Sequence, residues 1–174
     1  MEVDDMNEEE KEIILNPGIL RFIENIAGIY EAYGIPRIGG RIFGLCLSTT
    51  VPLSAEKMAE LLQASRSSIS TNIRGLIANG WVEKVTFPGD RTEYYRFCPM
   101  AWESVLAHRK KGLLPLGKIA EAAQNDLPMD DPAREQLKEM SEWVNLQVQS
   151  HDVMIAAWRS YRDEKLNNNK NKDC

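Results

Sequence analysis

Small hydroxyl side chains and an arginine are concentrated on one predicted helix near the middle of the chain. The helix is expected over residues 66–79, and its polar side carries Ser67, Ser68, Thr71 and Arg74. Serine and threonine are short enough to let a helix approach the floor of a DNA groove, and arginine can bind a guanine edge or a phosphate. The pattern predicts a surface that contacts DNA. An ordinary solvated helix face is the simpler alternative.

A second DNA contact is predicted at the tip of a hairpin that follows this helix. Residues 81–86 and 92–97 are typical of two strands, and residues 88–90 form the turn between them. Arg91 lies near the tip, and arginine favours the narrow, strongly negative minor groove. We expect Asp90 beside it to orient the guanidinium group. Lys84 and Arg96 on the strands are expected to meet the phosphate backbone.

The predicted DNA-contacting residues share a polar side chain and a position on the helix or the hairpin. They are Arg66, Ser67, Ser68, Ser70, Thr71, Asn72, Arg74, Lys84, Asp90 and Arg91.

The polar helix needs an apolar back face and a partner helix to hold it in place. The predicted apolar stripe is formed by Ile69, Ile73, Leu76 and Ile77. Ser65 is a good N-cap for this helix, and Gly80 is expected to close it. The preceding helix is expected to begin after the N-cap Ser54. Its predicted buried positions are Met58, Leu61 and Leu62.

The order helix, turn, helix, hairpin predicts a winged helix-turn-helix in a mainly α (α+β) fold. Further helices are expected over residues 18–33, 36–48, 100–125 and 132–165, with TTVPLS as a connector. Pro115 is expected to break the third of these helices. In the second, Gly39, Gly40 and Gly44 indicate either close approach to a helix or ligand, or simple loosening of the helix.

Four segments follow from this pattern. Residues 1–17 are acidic and expected to be flexible, residues 18–99 form the winged helix-turn-helix domain, residues 100–166 form a helical dimerisation region, and residues 167–174 form a disordered tail. Apolar residues recur along the final helix at spacings of three and four, which is heptad-like. This favours a homodimer built with the N- and C-terminal helices. Packing of the final helix against residues 18–48 is the alternative.

The charge distribution also points to the middle of the chain. The net charge is −5, but residues 35–98 hold eight basic and five acidic residues. The net charge is −7 for residues 1–34 and −1 for residues 99–174. Because salt screens charges beyond about 8–10 Å, a local basic patch matters more to phosphates than the sum over the chain.

Several classes of protein have little support in the sequence. The three cysteines have no metal-ligand spacing, and Cys46 in the apolar run IFGLCL is expected to be a buried small hydrophobe. No paired histidine and carboxylate, Gly-rich phosphate loop or nucleophile elbow is found, so no enzyme, cofactor or metal site is predicted. No apolar run reaches the roughly 20 residues of a membrane span, and the acidic start is unlike a signal peptide. A cytoplasmic protein without a membrane partner is expected.

Four motifs resemble one family as a group. They are PRIGGRIFG, PLSAEKMAELL, SRSSISTNIRGL and GWVEKVTFPGDRTEYY, within residues 20–98. Together they look like the GbsR-type branch of the MarR family of transcription regulators. The resemblance implies a homodimer on a pseudo-palindromic operator, with the recognition helix on residues 66–79 and the wing arginine at Arg91. It also implies a response to a small-molecule effector, for which the aromatic residues at helical spacing give no assigned site.

Two functions therefore stay open at the level of the sequence. The first is a sequence-specific DNA-binding transcription regulator, in the form of a repressor. The second is a winged-helix module that binds protein without DNA, which the overall acidity favours.

Overall fold

The computed structural model describes the backbone of residues 13–170 and the side chains of residues 13–165. In this range the chain forms two compact units, the first ending at Ala101 and the second beginning at Trp102. The elements are α1 (Pro17–Ala32), α2 (Arg37–Ser48), β1 (Leu53–Ser54), α3 (Ala55–Leu61), α4 (Arg66–Ala78), β2 (Val82–Val85), β3 (Tyr94–Phe97), α5 (Ala101–Asp126) and α6 (Ala133–Lys170). None of these helices is both long and apolar enough to cross a membrane.

Helix α1 begins one residue earlier than the sequence pattern predicts. The side chain of Asn16 accepts a hydrogen bond of 2.9 Å from the Ile19 amide, and Pro17 occupies the first turn. An asparagine cap followed by proline is a favourable helix start, because proline has no N–H that needs a partner there. Gly34 follows the helix with φ +78°, a left-handed conformation that glycine adopts without strain.

The glycines of α2 allow it to lie directly against α1. A Cβ atom added at Gly40 would lie 2.7 Å from the Ala27 Cα, and one at Gly44 would lie 3.1 Å from the Ile23 Cα. Of the two alternatives that the sequence left open, close helix–helix approach is therefore the one found at these two positions. The approach brings Ile23 and Ala27 of α1 into the buried core.

The sheet has a third strand that the sequence pattern did not predict. The strands are antiparallel, in the order β1-β3-β2. Tyr95 of the central strand β3 lies opposite Leu53 of β1 and opposite Lys84 of β2. The connector TTVPLS therefore contributes β1. Two residues are too few for an alternating pattern, so only the pairing with β3 reveals this strand.

The core of the first unit joins α1, α2, the helix-turn-helix and the hairpin. Its buried apolar residues are Ile23, Ile42, Phe43, Leu45, Cys46, Leu53, Met58, Leu62, Ile69, Ile73, Leu76 and Val82. The Phe43 ring lies 4.9 Å from Trp81 and 6.0 Å from Phe97 between ring centroids, so it links α2 to the hairpin. The predicted burial of Cys46 is confirmed, and burial raises the pKa of its thiol to about 12.

In the second unit, α5 and α6 are antiparallel. Lys110 Nζ lies 2.7 Å from Asp152 Oδ1, and Arg159 Nε lies 2.6 Å from the buried Glu103 Oε2. The predicted break at Pro115 is wrong, because α5 runs through it without interruption. Pro115 and its neighbours are exposed, so the carbonyl group that loses its helical hydrogen bond can be hydrated.

The last helix is longer than its apolar pattern predicts. Helix α6 continues to Lys170, beyond the expected end at residue 165. The remaining residues of the predicted tail, 171–174, lie outside the described residues, as do residues 1–12 of the predicted flexible start.

Candidate nucleic-acid interface

Hydroxyl caps and a tight turn set the position of α4. Ser54 Oγ accepts a hydrogen bond from the Lys57 amide at 3.1 Å, and Ser65 Oγ accepts one from the Ser68 amide at 3.2 Å. Both predicted N-caps are thus confirmed. Between the helices, Gln63 has φ +49°, and it is the one non-glycine residue with positive φ in the described part of the chain. At the other end, Gly80 with φ +76° closes α4 as predicted.

The buried side of α4 is narrower than predicted. Ile69, Ile73 and Leu76 are buried, but the side chain of Ile77 is 37% exposed. One residue is about 100° of helix rotation, so Ile77 lies well round from Leu76 at the edge of the stripe. The inclusion of Ile77 in the buried stripe is wrong, and the opposite side of α4 is correspondingly broader.

The exposed side of α4 brings together three of the predicted DNA-contacting residues. Ser67, Thr71 and Arg74 are exposed on it, next to the exposed Gly75. Arg74 Nη2 donates a hydrogen bond of 3.3 Å to Thr71 Oγ1. The hydroxyl group thereby holds the guanidinium along the helix surface, while Ser67 and Gly75 leave room for a close approach.

Three other predicted residues lie on the flanks of this side. Ser68 and Ser70 are half-buried, and Asn72 Nδ2 donates to the Ser68 carbonyl oxygen at 2.9 Å. The Asn72 Oδ1 lies 3.1 Å from where a Cβ at Gly39 would be. Asn72 therefore packs towards α2 and away from the exposed side.

At the hairpin tip, the Asp90 carboxylate binds the turn itself and not the guanidinium of Arg91. Asp90 Oδ1 accepts a hydrogen bond of 2.8 Å from the Thr92 amide, and Asp90 Oδ2 accepts one of 2.8 Å from the Tyr94 hydroxyl. The bond from Thr92 is the main reason that the pKa of Asp90 lies below its usual value. The expectation that Asp90 orients the guanidinium of Arg91 is therefore wrong. Gly89 provides the turn with φ +85°.

Most of the cations in residues 35–98 are bound to carboxylates. Of the eight, six have a carboxylate oxygen within 4.0 Å: Arg37, Arg41, Lys57, Arg66, Lys84 and Arg96. The predicted contacts Arg66 and Lys84 belong to this group, through Glu56 and Glu93. The exceptions are Arg74 and Arg91, for which no carboxylate of the described residues lies within that distance. Both are exposed.

Comparison with known proteins identifies the family. No protein-family model matches the chain. The HTH-type transcriptional regulator MmpR5 of Mycobacterium tuberculosis is 33% identical over 126 residues, which cover 71% of this chain and 76% of that protein. This chain belongs to the HTH-type transcriptional regulators. A putative HTH-type transcriptional regulator of Bacillus subtilis, YvaV, is 24% identical over 140 residues, which cover 71% of this regulator and 78% of that protein.

A solved structure gives the same fold. The crystal structure of a transcriptional regulator superposes with a TM-score of 0.74 at 29% identity, covering 83% of this regulator and 99% of the other chain. The predicted winged helix-turn-helix architecture is thereby confirmed. At the level that the family supports, the protein is a DNA-binding transcription regulator.

Sequence reasoning missed two residues of the regulator's wing. Glu93 accepts hydrogen bonds from Lys84 Nζ at 2.5 Å and from the Tyr95 hydroxyl at 2.7 Å. Lys84 mainly, and Tyr95 next, hold the pKa of Glu93 below its usual value. The spacing of Glu93 and Tyr95 by two residues places both on one face of the hairpin. Their relation to Lys84 depends on the strand register, which the sequence alone did not give.

Proposed function

We propose that the regulator binds a pseudo-palindromic operator as a homodimer, with α4 in the major groove and the hairpin tip at the adjacent minor groove. The proposal includes the MarR family, its GbsR-type branch, action as a repressor in the cytoplasm, and release by a small-molecule effector. No catalytic step is part of it. The observation that carries the DNA contact is that Arg74 and Arg91, one on each element, are the cations left without a carboxylate in residues 35–98.

The two arginines suit two different tasks. Arg74 lies on the exposed side of α4 among short side chains, so it is suited to reach a base edge or a phosphate inside the groove. Arg91 lies beside the turn that the hydrogen bonds of Asp90 close, so it is suited to the minor groove and adjacent phosphates. Base contacts carry sequence information, whereas phosphate contacts mainly fix position.

A second copy of the chain is the partner that the exposed apolar residues of the second unit favour. Large side chains are exposed there at Trp102, Leu114, Leu116, Ile119, Met140, Trp143, Leu146, Val153, Met154 and Tyr161. Extended apolar surface of this kind is typical of protein–protein interfaces. Two copies related by a two-fold axis offer two recognition helices to two half-sites. The dimer thereby contacts more base pairs than one winged helix can.

Mobility-shift measurements with genomic fragments test the DNA function. We expect Arg91→Ala to weaken binding to all sequences alike. We expect Arg74→Ala to cost about 1–3 kcal/mol and to relax discrimination at one base pair, if its guanidinium contacts a base. Arg96→Ala is the matched control, because it removes an exposed arginine of the same hairpin that is bound to Glu83 at 2.6 Å. The sequence predicts a phosphate contact for Arg96, but because of this ion pair we expect the variant to lose less affinity than Arg91→Ala.

Two outcomes would contradict the proposal. Equal operator binding by the parent and the double variant Arg74→Ala/Arg91→Ala would remove the assigned interface. Failure of the parent chain to retard any genomic fragment at low salt would instead favour a winged-helix module that binds protein.

A further inference from the structure

Lys84 forms an ion pair with Glu93 on the β2–β3 hairpin, which is the wing that is expected to meet DNA phosphates. Its ammonium group donates to Glu93 Oε1, while the Tyr95 hydroxyl donates to Glu93 Oε2 at 2.7 Å. Both carboxylate oxygens are therefore used within the hairpin. The Lys84 and Glu93 side chains are still 42% and 53% exposed, so a ligand from solvent can reach the pair.

The strand register places this pair on a defined face of the hairpin. Lys84 lies opposite Tyr95, and Glu83 lies opposite Arg96. Because side chains alternate between the two faces of a strand, Lys84 and Tyr95 share one face while Glu83 and Arg96 share the other. Val82 lies on the same face as Lys84 and is buried in the core with Ile73 and Leu76 of α4, so the face with Lys84 is the one turned towards α4.

A phosphate that binds Lys84 must therefore compete with Glu93. An exposed ion pair is worth about 1 kcal/mol or less, so a DNA phosphate displaces the carboxylate from Lys84 only part of the time. The carboxylate nevertheless stays close to the phosphate and repels it. Affinity for DNA of any sequence depends on the number of phosphates that cations neutralise, so an occupied Lys84 lowers this sequence-independent part.

We propose that Glu93 is a positioning residue that competes internally for Lys84 and so holds down the regulator's sequence-independent affinity for DNA. The inference rests on the proposed DNA-binding function. Phosphate contacts carry no sequence information, so this competition lowers binding to operator and non-cognate DNA alike and limits the salt concentrations at which the regulator stays bound. Glu93 acts through Lys84, and no contact of Glu93 with DNA is needed.

The test uses a random-sequence duplex, which requires no knowledge of the operator. Glu93→Gln keeps an acceptor for the Tyr95 hydroxyl but removes the charge that binds Lys84. We expect tighter binding and a steeper salt dependence. The log–log slope should change by up to about −0.9 for each Lys84 that is released to bind a phosphate. Between about 50 and 200 mM salt, this slope corresponds to an additional loss of affinity of about threefold per contact.

Two further variants separate release of Lys84 from a general loss of negative charge. Glu83→Gln removes an equivalent carboxylate and releases Arg96 on the face turned away from α4, so we expect a slope like that of the parent. In the double variant Lys84→Ala/Glu93→Gln the steeper slope should be lost. The inference is overturned if Glu93→Gln has the parent's affinity and slope, if Glu83→Gln reproduces its effect, or if the effect persists without Lys84.

Failure of this inference can be told apart from failure of the proposed function. If the parent binds the duplex and Glu93→Gln changes nothing, only the role of Glu93 is wrong. If neither the parent nor Glu93→Gln binds the duplex or any genomic fragment at low salt, the DNA-binding function is wrong and the role of Glu93 falls with it. Urea unfolding of each variant checks that the hairpin remains folded.

Discussion

Asp90 provides a residue-scale test of how the wing presents Arg91. Its carboxylate binds the Thr92 amide and the Tyr94 hydroxyl, so it holds the tip in one conformation. If Asp90 were only a negative charge near DNA, its removal would raise the affinity. We expect Asp90→Ala to lower the affinity instead, to between those of the parent and Arg91→Ala, because the arginine then samples more positions. Fluorescence anisotropy with one duplex compares the three proteins, and tighter binding by Asp90→Ala would contradict this role.

The same hydrogen bonds predict the direction of a pH dependence. Because the folded pKa of Asp90 is lowered, its stabilisation is present above the unfolded pKa of about 4 and is lost as the pH falls through the folded value. The NMR shift of the Thr92 amide should therefore titrate below about pH 4 in the parent. Asp90→Ala should lack that step, and a Thr92 titration near neutral pH would contradict the assignment.

At the residue scale the sequence predicted part of the interface. Helical periodicity was enough to place Ser67, Thr71 and Arg74 on the exposed side of α4, because that side is defined by rotation about one axis. It did not separate Asn72 from them, since only the neighbouring Gly39 of α2 shows that Asn72 packs inward. The ion pair between Lys84 and Glu93 depends on strand register, which helical periodicity cannot predict.

At the element scale, Gly40 sets how closely α2 approaches α1. A Cβ there would lie 2.7 Å from the Ala27 Cα, which is backbone and cannot rotate away. We expect Gly40→Ala to lower the free energy of unfolding by about 1–3 kcal/mol, because the helices must separate. Gly28→Ala in α1 is the matched control, since nothing lies within 4 Å of its added Cβ. There we expect a gain of up to about 1 kcal/mol from helix propensity.

Urea unfolding monitored by circular dichroism measures both variants. If Gly40→Ala were as stable as the parent, the close contact between α1 and α2 would be wrong. A large loss of stability in Gly28→Ala would show that the α1 surface at Gly28 is covered in solution.

Elements were predictable wherever a local signal defined them. Ser54, Ser65 and Gly80 mark the ends of α3 and α4 through their own hydrogen bonds or backbone angles, so these ends were found. Strand β1 exists only because residues far along the chain pair with it, and no local pattern announces it. The continuity of α5 through Pro115 depends on solvent around the helix, which periodicity does not report.

At the scale of the whole molecule, α6 has two apolar faces. One is buried, and on it Val144 lies against Gly117 of α5. The other is exposed and carries Trp143, Leu146, Val153 and Tyr161 at spacings that place them on one side of the helix. A second face of this kind has no use in a single two-helix unit, so we expect it to bury against the same face of a second copy.

Leu146→Asp tests the dimer, and its neighbour provides the control. The side chain of Leu146 is 62% exposed, so a charge there should leave the monomer folded but oppose burial in an interface. Asn145→Asp adds the same charge about 100° away on the polar side of α6, and we expect it to remain a dimer. Sedimentation should show Leu146→Asp as a monomer.

Because one subunit then contacts the operator, the log–log salt slope of Leu146→Asp should fall to about half that of the parent. A dimeric Leu146→Asp, or a monomeric parent, would contradict this arrangement.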